Sequence, residues 1–109
     1  MAPNAPTGRP RLLAWLRDPN VMRHLPIRMG SPTLQVGVVY EGGTWRLRRL
    51  AFDNAAFSAF VAEEQAVGRP LYPEYAERFR HPTGEVLVEA ENLESFIRVL
   101  ERMEWPRDW

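Results

Sequence analysis

Two adjacent glycines, Gly42 and Gly43, separate two stretches of alternating hydropathy. Before them, Leu34, Val36, Val38 and Tyr40 alternate with Gln35, Gly37 and Val39; after them, Trp45 and Leu47 alternate with Arg46 and Arg48. Side chains of a strand point to opposite faces with a period of two, and paired glycines supply the positive φ angles of a tight primed turn. The stretch from Thr33 onward therefore predicts a hairpin in one register: Tyr40 opposite Trp45, Val38 opposite Leu47, Val36 opposite Arg49. Trp45 then faces inward, while Arg46 and Arg48 face outward. The alternation breaks at Arg48-Arg49, and a β-bulge there would return Leu50 and Phe52 to the core face.

Around this hairpin the chain reads as one domain over residues 10–109, preceded by a small, polar, proline-bearing arm over residues 1–9 that is expected to be disordered. Pro10 opens a first helix, with Leu12, Trp15 and Leu16 as its stripe; Asp18-Pro19 ends it. Residues 19–25 form a short turn, and the stretch IRMGSP reads as a loop. Asp53 or Asn54 caps a helix over 54–67, with Phe57, Phe60, Val61 and Val67 on one side, Glu63 and Glu64 reaching solvent, and Gly68 ending it.

Residues 71–80 read two ways. They form a helix from Pro73, or a strand that pairs through the turn HPTG with residues 85–90, setting Arg80 opposite Glu85 and Phe79 opposite Val86. The hairpin is the preferred reading. Glu85 to Ala90 alternates as a strand. Asn92 then caps a last helix with the stripe Leu93, Phe96, Ile97, Leu100 and Met103, and an i, i+4 pair of Glu94 and Arg98 on its wet side. The expected fold class is α+β. Two ββα units form a four-stranded, mainly antiparallel sheet with two helices on one face, and the short N-terminal helix covers an edge or part of the second face.

Composition narrows the function classes. There is no cysteine, which excludes disulfides, thiolate zinc sites and cysteine nucleophiles. No apolar run approaches the roughly 18 residues of a membrane span. With no apolar signal region in MAPNAPTGRP, a cytoplasmic location is expected. All fourteen basic residues are arginine. The zero net charge divides unevenly: eight arginines against Asp18 and Glu41 through Phe52, then six arginines against twelve acids. Opposite halves of this kind mark a nucleic-acid face or a charged tail, or else attract each other within one fold or across a dimer, which is the preferred reading.

No catalytic, cofactor or metal motif is apparent. His24 and His81 have no nucleophile at a recognisable spacing, and Ser31, Ser58 and Ser95 lack the tight turn of a nucleophile elbow. Glu89, Glu91 and Glu94 are explained by the helix start beside them. The candidate partner-binding residues are Arg46, Arg48 and Arg49 on the hairpin and Trp105 and Trp109 in the tail, since Trp and Arg are enriched at binding hot spots. The chain is thus expected to be a small non-enzymatic association module, acting on itself as a homodimer or on another protein. The sheet face carrying Thr33, Val39, Arg46 and Arg48 is the expected contact. One alternative is a nucleic-acid binder using Arg46, Arg48 and Arg49 with Arg9 and Arg11; another is a small-molecule regulatory domain.

Overall fold

The computed structural model describes residues 8–109. Helix α1 spans Arg9–Leu16, and strands β1, β2, β3 and β4 span Ile27–Gly30, Gln35–Glu41, Thr44–Arg49 and Ala51–Phe52. Helix α2 (Asn54–Val67), strands β5 (Arg80–His81) and β6 (Val86–Ala90), and helix α3 (Leu93–Arg102) follow. Two 3-10 helices lie at Val21–His24 and Pro73–Phe79. The first seven residues of the expected disordered arm lie outside the described residues; at its end, Arg9 already belongs to α1.

The fold is α+β, built on a four-stranded antiparallel sheet in the order β1-β2-β3-β6. Its centre is the hairpin that the double glycine dictates. Gly42 and Gly43 have φ of 56° and 81°, and Tyr40 pairs with Trp45, Val38 with Leu47, and Val36 with Arg49. Strand β2 begins at Gln35, so Thr33 lies before the sheet rather than on its outer face. The irregularity in β3 falls between Leu47 and Arg48, on the β6 side, one residue earlier than the sequence suggests. Leu50 and Phe52 do not return to the sheet core. They are half-buried, and Phe52 packs edge-on against Phe57 at 5.1 Å.

The loop expected at IRMGSP is in its first four residues an edge strand, β1. Ile27 pairs with Val38 and is buried; Met29 pairs with Val36. Four residues offer only two inward side chains, too short an alternation to stand out in the sequence.

Helix α3 lies on the sheet, and α1 packs beside it. Leu12 and Leu16 from α1 join Phe96 and Leu100 from α3 over Val36, Val38, Trp45, Leu47 and Val88 in one buried cluster. Each such side chain contributes about 1.5–3 kcal/mol on leaving water. Asn92 caps α3 as expected, its Oδ1 accepting from Ser95 N at 2.8 Å, and Glu94 pairs with Arg98.

Residues 73–80 do not form the preferred hairpin. Pro73–Phe79 is a 3-10 helix with proline at its start, Glu74 in its first turn and Arg78 in its last. Arg80 and His81 then pair with Phe52 and Ala51, not with Glu85. The strand reading would have placed charged Glu77 on the same face as Tyr75 and Phe79. In the helical turn both rings reach α2 instead: Phe79 stands 5.4 Å from Phe57 and from Phe60, and Tyr75 stands 5.5 Å from Phe60.

Helix α2 has the expected ends. Asp53 Oδ1 accepts from Ala56 N at 3.0 Å, and Gly68 closes it at φ 74°. Its location is the surprise. It packs against the 3-10 helix as part of an arm, residues 51–81, that stands apart from the sheet core. Phe57, Phe60 and Val61 are only half-buried. The one buried side chain of α2 is Glu64, which was expected in solvent and pairs instead with Arg69 Nε at 3.0 Å. The radius of gyration is 16.3 Å, against roughly 13 Å for a compact domain of ~100 residues.

Candidate functional site

The arginine ribbon of β3 is built as the alternation requires. Trp45 is 6% exposed and lies against Phe96, with ring centroids 6.1 Å apart. Arg46 and Arg48 project to the opposite face, whereas Arg49, paired with Val36, keeps the phase of Trp45 at the exposed end of the strand; each of the three meets a glutamate. Arg46 Nε donates to Glu89 Oε2 at 2.7 Å, Arg48 Nη1 to Glu41 Oε1 at 3.0 Å, and Arg49 Nε to Glu85 Oε2 at 3.2 Å. The hydrogen bond to Glu89 raises the Arg46 pKa further above its ordinary value. Arg48 Nε also donates to the Gly84 carbonyl at 2.9 Å, which locks the side chain along the sheet. Glu85 and Glu89 come from the acidic half of the sequence, whereas Glu41 lies in the basic half on the neighbouring strand.

The other arginines of the ribbon hypothesis are elsewhere. Arg11 lies over the Trp15 ring at 4.6 Å, on α1 and so on the helical side of the sheet. Arg9 lines a depression beside Pro10, Trp105 and Trp109. The structure brings neither of them to Arg46 and Arg48.

The sheet face opposite the helices is partly covered. Pro82 is buried over Gly37 so closely that a Cβ on that glycine would sit 2.5 Å from the proline Cβ. Beside it Met22, Pro26, Val39, Tyr40 and Pro82 line a shallow apolar trough of about 440 Å³.

Both tail tryptophans dock on their own chain. Trp105 Nε1 donates to Leu100 O at 2.8 Å, Trp109 Nε1 donates to Leu34 O at 3.0 Å, and the two rings lie 4.8 Å apart. Asp108 fastens the end by accepting from Thr33 N at 3.3 Å and Thr33 Oγ1 at 2.9 Å. The Ser31 hydroxyl and then Thr33 hold its carboxyl below the ordinary value of 3.8.

The histidines stay apart. His24 Nε2 lies 3.2 Å from Asp18 Oδ2, at the end of the first 3-10 helix. The Asn20 N–H, and then His24, lower the Asp18 pKa. His81 is a strand residue opposite Ala51. No group of three metal-ligating side chains occurs among the described residues, and no described helix is long and apolar enough to cross a membrane.

The surface that the sequence did not announce is the arm. Val67, Leu71 and Tyr72 are 59%, 41% and 49% exposed, contiguous in chain with the half-buried stripe of α2. A helix stripe shows that a face is apolar and leaves open what covers it. The exposed Leu71 and Tyr72, just past the helix stop, were the available signal. No protein-family model, curated protein or solved structure matches the chain.

Proposed function

We propose that the chain is an association module that works as a homodimer, with the arm over residues 51–81 as its contact. The observation that carries this is α2. It is a fourteen-residue helix that fully buries no apolar side chain of its own. Helices of soluble domains hold their place by burying an apolar stripe, and contiguous exposed apolar surface marks a contact site.

Charge favours a second copy as the occupant. Over residues 51–81 the arm carries five carboxylates and three arginines; the remainder carries eleven arginines and nine carboxylates. The arm of one copy is therefore attracted to the body of another, which orients assembly more than it strengthens it. The ribbon supports a nucleic-acid role less well, because its arginines already have carboxylate partners and its tryptophan faces the core. Trp105 and Trp109 likewise have partners within their own chain, so the arm replaces them as the anchor.

Light scattering over a wide concentration range tests the reading. A dimer is expected, converted to monomer by Val67→Asp with Leu71→Asp. Both positions are exposed, so the circular dichroism of the variant should match wild type. A wild-type chain that stays monomeric at high concentration would overturn it.

A further inference from the structure

The arm meets the sheet at a cleft outside the exposed surface described above. Two adjoining cavities there, of about 190 and 220 Å³, share Arg28, Leu50 and Glu77 as walls. Arg28 comes from the edge strand β1, and Leu50 from the break between β3 and β4. Gln35 and Arg80 complete the polar lining.

The charges are unbalanced. Arg28 Nη1 donates to the carbonyl of Arg80 at 3.0 Å, and Arg28 has no carboxylate within ion-pair reach among the described residues. Arg80 Nη1 donates to the neutral Gln35 Oε1 at 2.6 Å. Arg80 Nε is buried with no hydrogen-bond acceptor. Glu77 Oε1 lies 3.3 Å from it, near enough for attraction but too far off the N–H line to accept. Two guanidinium groups therefore face the cleft with one carboxylate, and that carboxylate sits on a side chain that is 68% exposed.

A buried N–H without an acceptor is costly, and an oxygen in the right place relieves it. The guanidinium fork matches the geometry of carboxylates and phosphates. Either cavity is larger than the roughly 30 Å³ share of one water. Each is smaller than the ~300–1,000 Å³ of pockets that enclose whole drug-sized ligands. We propose that this cleft binds a small oxyanion, a carboxylate or phosphate group held between Arg28 and Arg80, and that Glu77 is the internal competitor it displaces. Leu50 and Met29 supply an apolar wall for whatever carries the anionic group.

The test is a nitrogen–proton NMR titration of the full chain with sodium phosphate and, separately, sodium acetate, at constant ionic strength in chloride. Saturable shifts are expected at the Leu50 amide and at the Nε–H of Arg28 and Arg80, with a dissociation constant in the millimolar range. Acetate saturating alone assigns a carboxylate site, and phosphate alone a phosphate site. Saturation by neither up to about 10 mM, ten times a millimolar constant, would overturn the proposal. Glu77→Gln removes the competitor and should tighten binding roughly three- to tenfold, a tenfold change being about 1.4 kcal/mol. Arg28→Gln, on an exposed edge, should abolish saturation with the amide spectrum otherwise preserved. Glu85→Gln makes the same charge change beside Arg49 and should leave binding unaltered; an equal gain from it and from Glu77→Gln would reduce the effect to net charge and defeat the assignment. The result does not depend on dimerisation, since an anion-binding monomer would retain this site while removing the dimer.

Discussion

Trp109 donates its indole N–H to the carbonyl of Leu34 at 3.0 Å, across 75 positions of the sequence. The last described residue is thus tied to the lead-in of the central hairpin. Leu34 is buried and its carbonyl also accepts from Ser31 N at 3.0 Å, so the tail completes a loop that already has one brace. Trp109→Ala should lower stability by about 2 kcal/mol, below the 3–5 kcal/mol of a fully buried tryptophan because the ring is only half-covered. Trp109→Phe keeps most of the packing and loses the hydrogen bond, and should cost about 1 kcal/mol. Urea midpoints at unchanged slope measure both. A null result for the alanine variant would mean that the tail does not dock.

The same end of the chain sets a pH dependence. Asp108 and Asp18 are both held below the ordinary carboxylate value of 3.8 in the fold, by Ser31 and by the Asn20 amide first. On acidification the unfolded chain takes up protons before the folded one does. Stability from these groups is present above 3.8 and is lost as pH falls through their lowered folded values. Denaturation curves between about pH 5 and pH 2 should show this decline. Asp108→Asn should be less stable than wild type near neutrality, with the gap closing as pH falls. A gap that stays constant through the acid range would show that Asp108 acts through shape rather than charge.

Gly37 is a position where only a missing side chain fits. A Cβ would meet Pro82 Cβ at 2.5 Å and the Ile27 carbonyl at 3.3 Å, and the proline ring cannot fold away. Gly37→Ala should cost about 1–3 kcal/mol, the usual penalty of overpacking. Its amide shifts should spread to residues 81–84 and to β1. Changes confined to β2 would argue that the loop over the sheet is loosely held.

The ribbon makes a prediction about masking. Glu41, Glu85 and Glu89 each engage one arginine of β3. Replacing all three by glutamine frees Arg46, Arg48 and Arg49 together. The variant should bind a single-stranded oligonucleotide at low salt more tightly than wild type, with log affinity falling about 0.7 per phosphate contact for each tenfold rise in salt. Fluorescence anisotropy at two salt concentrations measures it. Equal binding by wild type would mean that these glutamates do not screen the ribbon.

Local chemistry in this sequence was legible wherever one residue type alone could serve. The double glycine set the hairpin register, Asp53 and Asn92 marked their helix starts, and Gly68 marked a stop. What was not legible depends on distant partners. Strand β1 has two inward side chains and is defined by pairing with β2. Residues 73–80 carry aromatic spacing compatible with either period, and Phe57 and Phe60 on α2 decide between them. The stripe of α2 looked like that of a core helix, yet its buried position belongs to Glu64. In the candidate surfaces, Arg46 and Arg48 could be oriented from alternation alone, whereas the cleft between Arg28 and Arg80 joins positions that nothing local relates.

Strands β4 and β5 are the two ends of the arm and close its base on each other through two paired residues each, with Asp53 N donating to Phe79 O at 2.8 Å just beyond them. Neither strand pairs with the four-stranded sheet, so the arm is coupled to it weakly. The helical hairpin can come apart while the sheet and its two covering helices stay intact, so heat should remove them in separate steps. The calorimetric enthalpy would then exceed the van't Hoff value, and no single melting temperature would describe the molecule.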